Sequence, residues 1–214
     1  MKQTGTWMVS AAFVAAMLAI AVWIYPDLPP LAPTHWDAGG NVNGWMPRFW
    51  AAALPVLVLL GLAILTPLLP CISPRKFEIT PFANVYGVLM LVIQGVLLVI
   101  FTCALLAGAG HHVPISLIAA LSVGVLLMVI GNYMGKLRKN FFIGIRTPWT
   151  LASDVVWERT HRFAGPLFVA AGAAWIGLSF VRAQPGWMFV PVVAAAVLPG
   201  VYSYVVYRRL EGHR

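Results

Sequence analysis

Charge is scarce in this chain. Only 9% of its 214 residues are Asp, Glu, Lys or Arg, and just six are acidic, against a hydrophobic fraction of 61%. A soluble domain of that length cannot cover its surface with so few charges, so a water-soluble fold is excluded. Cysteine is nearly absent too. Cys71 and Cys103 are expected at opposite ends of neighbouring apolar runs, whereas a disulfide requires Cα atoms within about 7 Å. Both are read as free thiols packed as small apolar side chains. Also missing are HExxH, GxSxG, Walker A and GxGxxG patterns, and any ionisable residue in the middle of an apolar run. These absences disfavour an ordinary hydrolase, an ATPase and an ion-coupled carrier. No internal repeat suggests an inverted-repeat transporter, and no cofactor is expected.

What the chain has instead is length in its apolar runs. Crossing a hydrocarbon core of about 30 Å takes about 20 residues of helix, with every backbone polar group satisfied inside the segment. Six runs qualify, at 7–24, 50–69, 85–106, 114–133, 163–181 and 187–207, and none holds Lys, Arg, Asp or Glu. The predicted fold class is therefore all-α: a polytopic membrane protein of six transmembrane helices. Basic residues set its orientation. Segments on one side carry Lys2, Arg75, Lys76, Lys136, Arg138, Lys139, Arg146, Arg159, Arg162, Arg208, Arg209 and Arg214; the other side carries Arg48 and Arg182. Both termini are thus expected in the cytoplasm, in a multi-pass protein of the bacterial cytoplasmic (inner) membrane. The net charge of +8 is explained mainly by anionic lipid head groups around the span ends, with an acidic protein partner as the other source. Direct contact with nucleic acid is not expected, and nothing in the residues fixes an oligomeric state.

The first run offers a small-x-small cleavage pattern at Ala19-Ile20-Ala21, but it continues through Trp23 to an interfacial Tyr25 and is read as a retained span rather than a signal peptide. In the loop 26–49, prolines 26, 29, 30 and 33 forbid regular helix, while Gly39-Gly40-Asn41 and Asn43-Gly44 supply positive φ angles. A compact, turn-rich loop is expected, pinned at head-group level by Trp36, Trp45, Phe49 and Trp50. Pro55 and Pro67 are expected to bend the second helix, and Arg75-Lys76 to anchor the connector that follows. Gln94, the main polar residue of the third run, is expected to hydrogen-bond a neighbouring helix, and Gly131 with Gly135 forms a GxxxG step suited to close approach.

Between the fourth and fifth runs lies the one long interval rich in both charge and aromatic residues, Gly131 to Arg162. Here Pro148 sets an extended approach, and Thr150 is the expected N-cap of a helix running from about Leu151 into the fifth span. On that helix Asp154, Trp157, Glu158 and His161 fall on one side, facing water or the bundle, with Ala152, Val155, Val156 and Phe163 on the other. Glu158-x-x-His161 has the spacing of a bridged metal-ligand pair. A bundle site needs that motif twice with further Glu residues, so a salt-bridged or hydrogen-bonded role is preferred. Arg146 has two readings: it caps span ends or pairs with Asp154 or Glu158, or it holds a carboxylate, phosphate or carbonyl cluster while stacking on aromatic faces. Elsewhere His35, Asp37, His111 and His112 would suit zinc if they converged, yet nothing in their spacing demands it, and no metal site is predicted.

Asn132, Lys139-Asn140, Gly144-Ile145-Arg146-Thr147-Pro148-Trp149-Thr150, Trp157 and Thr160-His161-Arg162 stand in an order and spacing that resembles the signature of the SdpI family of bacterial membrane proteins. Pro33, His35-Trp36, Gly40 and Gly44-Trp45 resemble a small module of unknown role that often precedes it, although relatives often place an acid where this chain has Asn43. The resemblance divides the chain into a two-helix module at 1–69 and a four-helix SdpI-like region at 70–214, with its signature loop at 131–162. It implies an immunity or receptor-type membrane protein that gives resistance to an extracellular peptide toxin and signals to a cytoplasmic transcriptional repressor. Ligand- or partner-binding roles are implied for His35, Trp36, Gly40, Gly44 and Trp45 on the outer side. On the inner side binding roles are expected, from the surface these residues form, for Asn132, Asn140, Gly144, Arg146, Thr147, Pro148, Trp149, Thr150, Asp154, Trp157, Glu158 and His161. No catalytic residue is required.

Two other classes stand beside that one. A membrane-embedded enzyme or small-solute transporter would use the surface of Arg146, Asp154, Glu158 and His161. A structural membrane protein would use the motif only to build the fold. Substitution separates the first two: an enzyme loses function with Glu158→Gln or His161→Ala while still inserting, whereas a binding protein is more sensitive at Trp36, Trp45, Trp149 and Trp157.

Overall fold

The structure, a computed structural model, describes residues 3–74, 77–181 and 184–211. The expected Arg75-Lys76 anchor and the basic residues Lys2, Arg182 and Arg214 lie outside the described residues. The elements in order are α1 (Gln3–Ile24), β1 (Leu31–Trp36), β2 (Val42–Pro47), α2 (Arg48–Ile72), α3 (Ala83–Gly108), α4 (Ile115–Met134), α5 (Pro148–Ala152), α6 (Asp154–Phe180) and α7 (Pro185–Glu211). Six of the helices are long and apolar enough to cross a membrane. Their limits follow from backbone chemistry. Helix α1 stops before Pro26, α2 follows Pro47, α4 starts directly after Pro114, and α3 gives way to a turn where Gly110 adopts a φ of 92°. Pro55 and Pro67 do not interrupt α2, which is helical throughout.

The chain forms two compact units, Met1–Pro67 with Met90–Val123, and Leu68–Leu89 with Gly124–Arg214. In the first unit, Met17, Ala21 and Ile24 of α1 pack with Ala51, Ala52 and Leu59 of α2 and Leu105 of α3. Gln94 lies fully buried in this helical packing. Its carbonyl accepts from Ser10 Oγ and its amide donates to Thr66 Oγ1 at 3.3 Å, so one side chain of α3 ties α1 and α2 together. In a hydrocarbon surrounding, such a bond replaces the water that a buried amide would otherwise lack.

The loop after α1 is more ordered than its prolines and glycines predict. It folds as an antiparallel two-stranded hairpin with Leu31 opposite Pro47, Ala32 opposite Met46, Pro33 opposite Trp45, His35 opposite Gly44 and Trp36 opposite Val42. Register shifts at Pro33/His35 and His35/Trp36 accommodate the irregular stretch. Ala32 is fully buried against the helical core, the carbonyl of Pro30 accepts from the amide of Arg48 at 3.0 Å, and Ser116 Oγ donates to the carbonyl of Asp37 at 3.0 Å. The hairpin is therefore clamped at its base to α2 and at its tip to α4.

In the second unit, α4 and α6 meet backbone to backbone through glycines spaced seven apart. A Cβ on Gly131 would stand 2.6 Å from the carbonyl oxygen of Gly165, and one on Gly172 would stand 2.5 Å from that of Gly124. Only glycine permits that approach. The expected GxxxG step is thus half correct: Gly131 is in the crossing, while Gly135 meets only Arg162 at ordinary contact distance. Helices α6 and α7 form a hairpin of their own, with Phe163 against Tyr202 and Trp175 against Phe189.

Candidate functional site: a strap of buried polar bonds

The segment between α4 and α6 holds most of the residues that the sequence singles out. It has little regular structure, and its order comes from side chains. Asn140 is fully buried. Its Nδ2 donates to the carbonyls of Arg138 and Ile143, both at 2.9 Å, and its Oδ1 accepts from the amides of Phe142 at 2.8 Å and Ile143 at 2.7 Å. An asparagine so used winds the backbone around itself and has no capacity left for a ligand.

Gly144 follows with a φ of 112°, and a Cβ there would lie 2.4 Å from His161 Nε2. Backbone conformation and space both demand glycine. The close approach delivers the amide of Ile145 to His161 Nε2 at 3.0 Å, while Nδ1 faces the carbonyl of Trp157 at 2.8 Å. The roles are fixed by these partners: Nδ1 carries the proton, Nε2 accepts, and the imidazole is neutral. The ring stacks on Trp157 at 4.1 Å, and the indole Nε1 donates to the carbonyl of Leu137 at 2.9 Å.

Thr147, Pro148 and Thr150 build α5. Thr147 rather than Thr150 is the N-cap. Its hydroxyl accepts from the amide of Thr150 at 3.2 Å, and Thr150 Oγ1 accepts from the amide of Thr147 at 2.9 Å, with Pro148 in the first turn. Thr150 Oγ1 in turn donates to the carbonyl of Ile145 at 2.9 Å. Ser203 of α7 donates to the carbonyl of Gly200 and bonds Thr147 Oγ1 at 2.9 Å, while Trp149 packs on Tyr204 with ring centroids 5.0 Å apart. Ser203 was not singled out by sequence reasoning; a lone small hydroxyl in an apolar run is its only signal.

The expected continuous helix from Leu151 does not form. Ser153 is extended, with φ −138° and ψ 129°, and its side chain caps a new helix by accepting from the amide of Val156. The expected common face of Asp154, Trp157, Glu158 and His161 splits accordingly. Trp157 and His161 are buried together with Val156 and Thr160, while Asp154 and Glu158 are exposed. Nor does Arg146 pair with either acid. Lys139, only 14% exposed in its side chain, meets Asp154 at 2.5 Å, and Arg162 meets Glu158 at 2.7 Å one helical turn away. Arg146 is exposed, and its Nη1 donates to the carbonyl of Phe141, itself an exposed aromatic. Asn132 is exposed on α4 and enters none of these bonds.

The hairpin holds the remaining candidates. Gly40 has a φ of 86° in a turn where the amide of Gly40 donates to the carbonyl of Asp37 and the amide of Asn41 to Asp37 Oδ1. The Asn41 amide, followed by its side chain, holds the Asp37 carboxyl below the usual range. Gly44 leaves room for His35, since a Cβ there would stand 2.9 Å from His35 Cβ. His35 Nδ1 and Asn43 Oδ1 are hydrogen-bonded, Trp36 is half-buried, and Trp45 is exposed. Among the described residues no three His, Cys, Asp or Glu side chains come together as metal ligands.

Chemically the strap is a self-satisfied assembly. His161 cannot take a proton at Nε2 without releasing Ile145, so it cannot serve as a base while the strap is closed. Among the charged groups the strap presents outward, Lys136, Arg138 and Arg146, the guanidinium of Arg146 is the one bonded to the carbonyl of the exposed Phe141.

Comparison with known proteins matches these two regions. Residues 136–203 match the SdpI/YfhL protein family, and residues 12–60 match a domain of unknown function, DUF1648. The Immunity protein SdpI of Bacillus subtilis (strain 168) is 29% identical over 208 residues, which cover 96% of this chain and 98% of that protein. No solved structure matches. The first match runs from the strap through α6 into α7, the second from α1 across the hairpin into α2, and the similarity to the relative extends over nearly the whole length of both proteins: this chain, with six helices long and apolar enough to cross a membrane, is similar to the SdpI/YfhL family.

Proposed function

We propose that this protein is an immunity protein of the bacterial cytoplasmic membrane, protecting the cell that carries it from an extracellular killing peptide. The observation that carries this reading is the similarity, over 96% of the chain, to a relative named for immunity. Charge distribution supports the orientation: the strap and the termini in the cytoplasm, where basic residues concentrate, and the hairpin outside. On that orientation the hairpin with His35, Trp36, Gly40 and Gly44 is the surface that an arriving peptide meets. The strap supports a presenting role, because Asn140, Gly144, Thr147, Thr150, Trp157 and His161 are occupied in holding it closed. Arg146 and Phe141 would then be the surface offered to a cytoplasmic regulator such as a transcriptional repressor.

The test is survival. A sensitive bacterial host expressing this chain is challenged with a membrane-active killing peptide from the same strain, with Arg146→Ala, verified as inserted, alongside. Protection by the native chain supports immunity, and its loss in Arg146→Ala places the strap's outward surface in the mechanism. No protection from either protein at equal expression overturns the reading and shifts weight to an enzyme or transporter, for which Glu158→Gln is the informative variant.

A further inference from the structure

The hairpin has two chemically different faces. Ala32 turns inward, fully buried in the helical core. The cross-strand pairs Leu31 with Pro47 and Pro33 with Trp45 lie on the opposite face, where Leu31 is 62% and Trp45 58% exposed. Such large apolar side chains on a two-stranded ribbon would be poorly placed in water, and the ribbon cannot turn them inward. Its base is bonded to α2 through Arg48 and its tip to α4 through Ser116.

The chain's own continuity indicates what covers this face. Pro47 leads directly into α2, whose first turn exposes Phe49 and Trp50 in edge-to-face contact at 5.2 Å. From Trp50 an exposed stripe descends the helix at Leu54, Leu57, Ile64 and Leu68, the spacing of one helical face, in a helix long enough to cross the bilayer. Length, composition and exposure suit that stripe to lipid contact. Arg48, at the top, lies over the ring of Tyr25 at 5.0 Å and so keeps its charge at the level where the helices emerge. An aromatic group above an apolar stripe, with a guanidinium beside it, is the arrangement that settles at the boundary between acyl chains and head groups.

We propose that the Leu31–Trp45 face of the hairpin is a lipid-contacting surface, inserted into the head-group and upper acyl region of the leaflet on its own side, continuous with the lipid-facing stripe of α2. The polar turn around Asp37 and Asn41 stays in water. The hairpin thus works as a membrane-surface element rather than as a free extramembrane loop, whether or not the protein confers immunity.

The test uses the full chain with Cys71→Ser and Cys103→Ser, reconstituted in phosphatidylcholine–phosphatidylglycerol vesicles. Nitroxide labels are attached singly at Leu31→Cys and Trp45→Cys, with Asn41→Cys as aqueous reference and Leu57→Cys as bilayer reference. Collision with oxygen and with a water-soluble nickel chelate is measured at each. Labels at 31 and 45 are expected to collide several-fold less with nickel than the label at 41, with oxygen collision approaching that at 57. Nickel accessibility at either position equal to that at 41 would overturn the proposal and leave the face open to a peptide. Low collision with both reagents would also overturn it, because that marks burial against protein, a second copy of the chain included. Leu31→Cys keeps the test alive if removal of the indole perturbs folding.

Discussion

The hairpin and the strap are both short, glycine-bearing connections between spans, yet they are built on opposite plans. The hairpin is held by backbone pairing and three anchoring points, and His35, Asn43 and Trp45 among its side chains remain exposed. The strap has almost no regular backbone pairing and is held by buried side chains, Asn140, Thr150, Trp157 and His161, each with its polar atoms satisfied. The contrast teaches that a residue type typical of sites serves folding when its hydrogen-bonding capacity is spent inside. Signature residues of the strap should therefore behave as stability determinants, and hairpin residues as surface.

The strongest way to break that comparison is Gly144→Ala. Strain at positive φ costs about 1–3 kcal/mol, and forcing a methyl toward His161 adds about 1–3 kcal/mol of overpacking. We expect a collapse in folded yield and a large drop in Tm in detergent; a variant with native Tm would show that the strap is not the rigid element described. Next comes Asn140→Ala, which strands two amides and two carbonyls and is expected to cost about 2–5 kcal/mol, read by the same thermal unfolding. On the hairpin, Gly44→Ala would bring a methyl to 2.9 Å from His35 Cβ, which the backbone fixes, so the two strands must part slightly; with no positive-φ strain to add, a loss of about 1–3 kcal/mol is expected, below that of Gly144→Ala. A loss matching that of Gly144→Ala would erase the distinction.

Two smaller effects sharpen it. Arg146→Ala should leave Tm unchanged while abolishing protection in the survival assay, because this side chain lies outside the buried network. At the hairpin tip, the Asp37 carboxyl is held below its usual pKa by the Asn41 amide. A depressed folded pKa means that its contribution is fully present above the unfolded value and is lost as pH falls through the folded one. Protease nicking within residues 37–41 should therefore rise only on strong acidification, and Asp37→Asn should remove that pH dependence.

The spans were legible because lipid imposes a length and a composition that few other structures share. The bond of Gln94 to its neighbours was legible for the same reason: an isolated amide among apolar residues must find a partner. The hairpin was not, since Pro33 and Pro47 lie within its strands and read as breakers. The strap was recognisable as a set of residues but not as an arrangement. Helical periodicity put Asp154, Glu158, Trp157 and His161 on one face, and only the extended Ser153 and the closure of Gly144 onto His161 decide which of them point inward. The glycines at 124, 131, 165 and 172 carried a seven-residue signal that a search for GxxxG passes over.

The glycine crossing of α4 and α6 has a mechanical consequence. At the glycines a side chain of the facing helix fills the gap, Phe168 at Gly131, Ile176 at Gly124 and Met128 at Gly172, so the two helices are keyed against sliding along their axes. The strap connects the end of α4 to the start of α6, and Asn140, Gly144 and His161 set its effective length. The axial register of α4 against α6 is then set twice, by those side chains within the pair and by the polar bonds of the strap at its end, so that altering one would strain the other.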